Sequence, residues 1–279
     1  MSVGVLLVVL VGALLHASWN LLVKAGRNKH TATGIIYGSA GILSALALPF
    51  LAAPARASWP YLGASTVTEL LYGVVLAAAY RAGDLSHAYP LMRGTAPLLV
   101  AIGSSVWVGE RLSRALWIGV VLMSLALISM IFDARGRRQS ASTTGLAILN
   151  AFLIATYTVI DGVGARKSGQ PVAYSLWLFA FIAVPWIIFV AARYRQRWAD
   201  LRREIPIGLA GGACSLASYT VALWAVTRAP IAVVAAVRET SILFGALLGM
   251  VFLRERLTWV RGLAILGIAI ALAIIRLQC

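Results

Sequence analysis

Ten apolar stretches take up almost all of this 279-residue chain. Each is close to the roughly 20 residues that a helix needs to cross a hydrocarbon core of about 30 Å. They lie near 3–23, 31–53, 61–81, 87–108, 115–132, 144–165, 171–192, 205–227, 230–253 and 258–276. Only short loops remain, with no room for a water-soluble domain. Lipid is therefore the solvent in which this chain folds. Without water, a spanning backbone must satisfy its own N–H and C=O groups, and a helix does so within each segment. The expected fold is an all-α polytopic membrane protein with ten transmembrane helices.

Charge agrees with that reading. Only 12% of the residues are charged and 61% are hydrophobic, whereas a soluble domain carries about 25% charge. A net charge of +15 would point to nucleic acid in a soluble protein. Here the basic residues sit between apolar stretches, where they set orientation. The expected surroundings are a lipid bilayer of the bacterial inner-membrane type, with no nucleic-acid partner. Arg193, Arg195, Arg197, Arg202 and Arg203 cluster around Trp198. They serve either as a topology signal or as a contact to anionic headgroups. The apolar start has no basic region of the kind that opens a signal peptide, so it reads as the first span. Cys214 and Cys279 offer neither a disulfide frame nor a metal spacing. No metal or cofactor is expected.

One segment is written twice. Residues 93–113 laid on 238–258 without a gap give eight identities in 21 positions, among them Arg93/Arg238, Thr95/Thr240, Glu110/Glu255, Arg111/Arg256 and Leu112/Leu257. Tyr72 and Arg81 fall on Tyr219 and Arg228, and more weakly His16 and Asn20 fall on Tyr157 and Asp161. The polar connection Asp133 to Ser142 divides the chain into two halves of five spans, residues 1–135 and 143–279. Five is odd, so the second half enters the membrane inverted relative to the first. Such inverted repeats place a substrate site near the midplane, at their interface. Gly34-x-x-x-Gly38, Gly208-x-x-x-Gly212 and Gly245-x-x-x-Gly249 read as close helix contacts, with an oligomer contact as the alternative. The oligomeric state is not legible.

Polar groups inside the spans call for a reason, because a charge at the bilayer centre costs about 2.5–3.5 kcal/mol on insertion scales. Arg93 lies about 25 Å along the helix axis from Glu110, which puts it near one end of its span. Arg238 holds the same place in an inverted helix, so the two flank the midplane. Each reaches inward to an anionic substrate or snorkels outward to water. Pro90 and Pro97 favour the inward reading, because a broken helix can line a cavity. Glu239 either receives a substrate amine or pairs with an arginine of another helix. Glu69 either closes a capping box, Thr66-Val-Thr-Glu69, at the start of span three, or carries a coupling proton. His16 and Asn20 share a face with Trp19 at its border, and Tyr157 and Asp161 repeat that spacing. They wall a polar cavity or bond between helices, with Asp161 and Asn20 near span ends and water. Tyr89 and Trp224 complete the candidate substrate-binding set. Asp161, Glu69 and Glu239 are the candidates for coupling. His16, His30 and His87 lie on separate elements, and no metalloprotease, nucleophile-elbow or phosphate-loop pattern occurs. An enzyme is not expected.

Pro97 followed by an apolar helix and Gly109-Glu110-Arg111-Leu112, with a second Glu255-Arg256-Leu257, resembles the drug/metabolite transporter superfamily, in its EamA-type ten-helix branch. His16-Ala-Ser-Trp19-Asn20 and Tyr89-Pro90-Leu-Met-Arg93-Gly94 resemble a branch of permeases associated with phosphonate use. The resemblance implies two inverted five-helix halves around a central cavity, and cytoplasmic termini. The loop charges imply the opposite orientation, since termini outside put about twice as many Lys and Arg on the inner face as on the outer. Members carry amino acids, sugars, nucleotide sugars and drugs, so no substrate is implied. Ile242 stands where the pattern has proline and Arg254 where it has glycine, so no kink is implied in the second copy. The expected function is secondary transport of a small polar metabolite, amino-acid-like or another organic anion. Arg93 and Arg238 would hold its anionic group. A lipid-linked sugar flippase of the same fold, or a non-transporting membrane partner subunit, are the alternatives.

Overall fold

The computed structural model describes residues 1–25, 29–82, 85–133, 140–195, 198–253 and 258–277. Among the described residues there is no strand. The second Glu-Arg-Leu mark, Glu255 to Leu257, lies outside them, as do Arg254, Asp84, Arg197 and most of the connection between the halves. The described residues form eleven α-helices: α1 Val3–Ala25, α2 Lys29–Ala47, α3 Trp59–Ala82, α4 Leu85–Gly103, α5 Arg114–Ser129, α6 Ala141–Ser168, α7 Pro171–Arg193, α8 Trp198–Val226, α9 Ile231–Arg238, α10 Ser241–Leu253 and α11 Trp259–Leu277. Ten stretches among them are long and apolar enough to cross a membrane, and they fall on the ten expected spans.

Helix boundaries follow local chemistry. Ser113 and Ser140 cap α5 and α6, each accepting from a backbone N–H three residues on. Pro171 opens α7 at a position whose N–H has no partner in a helix anyway. Span three starts earlier than expected, with a 3-10 turn at Arg56–Ser58 leading into α3. This overturns the capping-box reading of Glu69. Thr66 lies inside the helix, and its hydroxyl donates to the Leu62 carbonyl one turn back. Glu69 is therefore an interior helical residue with no terminus to close.

The ninth span is two helices. α9 ends at Arg238, Glu239 and Thr240 form a turn, and α10 begins at Ser241. No proline is involved. Backbone bonds tighten to three-residue steps across the break, from Glu239 to Ala236, Thr240 to Val237 and Leu243 to Thr240. The Thr240 hydroxyl also donates to the Val237 carbonyl at 2.7 Å, competing for an acceptor that a continuous helix would use. In contrast, α4 runs through Pro90 and Pro97 without ending. The sequence comparison expects the prolines to mark the break; the structure puts the break in the copy that lacks them.

The bundle is apolar outside, and its largely apolar core encloses a set of polar side chains. Leu7, Val74, Trp107 and Phe252 are exposed, while Asn150, Asp161 and Glu239 are buried. Helix pairing has a regular plan. α1 packs on α8 and α3 on α6, α4 on α6 and α1 on α9 and α10, while α2 packs on α7 and α5 on α11. α8 packs on α2 as well, and two of the three glycine pairs lie at helix contacts, Gly34 and Gly38 facing α7 and Gly208 and Gly212 facing α2. A Cβ on Gly212 would stand 2.8 Å from the Ala40 nitrogen and 2.9 Å from the Ile36 carbonyl, and one on Gly208 would meet Ile35 at 2.2 Å. Gly245 faces open space instead, so the packing expected of it is not there.

Candidate functional site

The break in span nine sets two charged side chains at the centre of the bundle. Arg238 is the last residue of α9, where a cation suits the negative end of the helix. Glu239 follows it. Their partners differ. The Glu239 Oε2 lies 3.0 Å from Arg93 Nε, and both side chains are largely buried. The approach is off the N–H axis, and neither atom makes a directed hydrogen bond. Arg93 also donates weakly to the Ser241 hydroxyl at the start of α10, at 3.5 Å. Arg238 has no ion pair or hydrogen bond among the described residues. Its guanidinium rests 5.1 Å from the Tyr219 ring centre, within cation–π range.

A small cavity lies between these groups, lined by Arg93, Pro97, Tyr157, Thr158, Arg238 and Glu239 among others. Its volume is about 20 Å³, room for a water and not for a metabolite. A second, smaller cavity shares Thr158, Ala235 and Arg238 with it and reaches Tyr219. The site is therefore closed here, and any larger ligand requires α4 and α9 to part. Tyr72 packs edge-on against Tyr157, with ring centres 5.7 Å apart. Tyr89, one turn before Arg93 on α4, is within electrostatic range of Arg93 and Glu239.

Asp161 lies deeper than expected. The sequence reading puts it near a span end with water at hand; the structure buries it completely. Its Oδ1 accepts from the Tyr174 hydroxyl at 2.9 Å and its Oδ2 from the Tyr219 hydroxyl. The Tyr219 ring thus joins Asp161 at its edge to Arg238 at its face. Glu69 stands within electrostatic range of both Asp161 and Arg238, and its Oε1 is buried without a hydrogen bond. The sequence singles out neither Tyr219 nor Tyr174 as a site residue. The offset that matches Tyr219 to Tyr72 is the signal that could have raised it.

The span-one trio forms its own group. Asn20 donates to the carbonyl of His16 at 2.7 Å, so its amide serves its own helix. Trp19 Nε1 donates to His16 Nδ1 at 3.4 Å, and Trp19 leads on to Tyr37, which is stacked against Phe179 and Trp186. His16 lies within electrostatic range of Arg93 and Arg238. Trp224 stands apart, under the Arg228 guanidinium at 4.3 Å, and does not line either cavity.

Glu110 has a role that the repeat alone does not disclose. Gly109 adopts a left-handed φ of 76°, and the turn carries Glu110 across to the start of α9. There its Oε1 accepts from the Ile231 N–H at 2.8 Å and from Arg166 Nη2 at 2.6 Å. Arg166 also donates to the carbonyls of Val226 and Ala229, at 2.8 and 3.0 Å. One carboxylate therefore caps a helix and holds an arginine that ties down the α8–α9 turn. The end mark of the repeat is a clasp between span four and span nine.

The comparisons with known proteins follow this geometry. The sequence model of the EamA-like transporter family matches residues 142–277. That match spans just under half of the chain, which is similar there to the EamA-like transporter family. The family is part of the drug/metabolite transporter superfamily, as the motif resemblance implies. No curated protein matches the chain. Among solved structures 29 chains match. One, titled only "Crystal structure of protein", superposes with a TM-score of 0.77 at 15% identity, covering 100% of this chain and 98% of its own. At that identity the likeness concerns the fold. The ten apolar helices mark an integral membrane protein, and the family match points toward membrane transport.

Proposed function

We propose that this chain is a secondary transporter that moves a small anionic or zwitterionic metabolite by alternating access, with Arg238 as the group that receives the acidic part. The observation that carries this is Arg238 itself: a partly buried arginine, at a helix break, beside a cavity, with no carboxylate partner among the described residues. Glu69, Asp161 and Glu239 lie within electrostatic range of Arg238 without an ion pair to it, and charged residues inside a bundle mark substrate or ion pathways. Broken helices whose ends meet at midplane are the usual frame for such sites.

The reading takes residues 1–135 and 143–279 as two inverted repeats. Part of the contact plan supports it. Exchanging each span with its equivalent in the other half turns the α1–α8 contact into α6–α3, and α4–α6 into the contact of span nine with α1, while α2–α7 and α5–α11 map onto themselves. In this reading the clasp of Glu110 on α9 shuts one end of the site. Asp161 and Glu69 remain the coupling candidates. The bacterial inner membrane is the proposed location.

The test is a thermal-shift screen of small metabolites on the purified chain, since a ligand that binds only the native state raises its stability. Stabilisation by an acidic metabolite, lost in Arg238→Gln, supports the reading. Arg238→Gln behaving as wild type would sink it. Counterflow of the same solute by the chain alone in liposomes separates transport from a partner-subunit role and from flipping of a lipid-linked sugar.

A further inference from the structure

We propose that Ser65, Glu69, Asp161 and the Tyr219 hydroxyl form a binding site for one sodium ion, beside Arg238. The inference does not rest on the transport reading, because sodium binding is read on the chain alone. Cysteine and histidine spacing give no hint of it, since the donors are oxygens.

Four helices bring those oxygens together. Ser65 and Glu69 lie one turn apart on α3 and so share a face. α3 packs on α6, which carries Asp161. The Ser65 hydroxyl is close to the Asp161 carboxylate, and the Tyr219 hydroxyl of α8 is close to both carboxylates. Asp161 and Ser65 are fully buried. Ser65 Oγ and Glu69 Oε1 are each buried without a directed hydrogen bond. Tyr174 of α7 and Tyr219 donate their hydroxyl protons to Asp161, and each keeps lone pairs on its oxygen. The cluster is therefore rich in acceptors that no donor answers.

Charge sets the kind of ligand. Arg93 answers Glu239. Among the described residues, Arg238 is the cation within range of Glu69 and Asp161, and it forms an ion pair with neither. One cation against two carboxylates leaves the core one positive charge short, where an unpaired charge is costly. A monovalent cation restores neutrality, and a divalent one overshoots. Among the described residues no three acidic, histidine or cysteine side chains gather to hold a divalent metal. A proton would neutralise one carboxylate oxygen and leave Ser65 Oγ unengaged. A hard cation takes several oxygen ligands at once, so sodium engages Glu69 Oε1, Asp161, Ser65 Oγ and the Tyr219 oxygen together. Filling the site cancels negative charge beside Arg238 and strengthens its pull on an anion, and linkage makes that effect reciprocal.

The experiment measures the melting temperature of the purified full-length chain in neutral detergent, with sodium, potassium or choline chloride at equal ionic strength. Sodium in about tenfold excess over its Kd is expected to raise the melting temperature by roughly 3 °C over choline, saturably. Potassium is expected to bind at least about tenfold more weakly. Glu69→Gln and Asp161→Asn should each abolish the response. Ser65→Ala should keep the sodium-free melting temperature, since its hydroxyl makes no directed bond, and weaken sodium about tenfold. That separates a lost ligand from a damaged fold. Glu204→Gln, in the second turn of α8, should respond as the wild type does. The inference is overturned if potassium or choline stabilises as sodium does, or if either Ser65→Ala or Glu69→Gln responds like the wild type. It is also overturned if acid stabilises the chain and sodium does not, which makes the pair a proton site. A sodium response without stabilisation by any acidic metabolite leaves this inference standing and counts against the transport reading; the converse result sinks this inference alone.

Discussion

Tyr219 has two jobs that pull on one side chain. Its hydroxyl donates to Asp161 and its ring face supports Arg238. Removing the hydroxyl leaves a completely buried carboxylate with one tyrosine donor in place of two. Tyr219→Phe should therefore cost about 1–3 kcal/mol, read as a lower melting temperature, while the ring still supports Arg238 and anion binding persists. Asp161→Asn tests the same contact from the other end. An amide keeps an acceptor for one tyrosine and loses the charge, so its melting temperature should fall less than that of Asp161→Leu, which strands both hydroxyls. Equal losses in the two variants would mean that Asp161 acts by volume alone. Neither tyrosine contact was legible in the sequence. Tyr174 lies 13 residues from Asp161 and Tyr219 lies 58 away, and nothing in local spacing brings such positions together. Arg93, Arg238 and Glu239 were legible because a charge inside an apolar run is conspicuous wherever the fold puts it.

At the scale of elements, the clasp and the glycine contacts carry separate expectations. Glu110 makes its bonds to Arg166 and to the start of α9, so Glu110→Gln loses the ion pair and keeps the helix cap in weaker form. In a background with Cys214 and Cys279 replaced by serine, a cysteine at Ala229 should then react about tenfold faster or more with a polar thiol reagent, a loosening of roughly 1.4 kcal/mol. An unchanged rate would mean that the clasp does not close that end. Gly212→Ala should destabilise, by roughly 1–3 kcal/mol, because the new methyl meets backbone atoms of α2 that cannot turn aside. Gly245→Ala meets nothing and should be neutral or slightly stabilising, since alanine favours a helix by up to about 1 kcal/mol over glycine. The identical G-x-x-x-G spacing does not separate these two sites; the packing of neighbouring helices does. The prolines mislead in a similar way. Pro97 sits in a helix that continues, while Thr240 sits at a break that no proline announces, because backbone and hydroxyl bonds over four residues decide it.

For the whole molecule, inverted halves make a topological statement. Ser113 and Thr258 are equivalent positions in the two copies, so cysteines placed there should label from opposite faces of a sealed vesicle. Labelling from one face would rule out the inversion. The amino-acid sequence by itself determined the membrane setting, the ten spans and the family resemblance. Each depends on runs of about 20 residues whose transfer into lipid is a local, additive property. It also determined that the core carries charge. Only the tertiary structure decided how those charges share partners: that Arg93 holds Glu239, that Arg238 is left with a ring and a cavity, and that Glu110 fastens one span to the start of another. Ion pairs act over a few ångströms, here between residues 56 or more positions apart, and the packing of helices alone brings them within that reach.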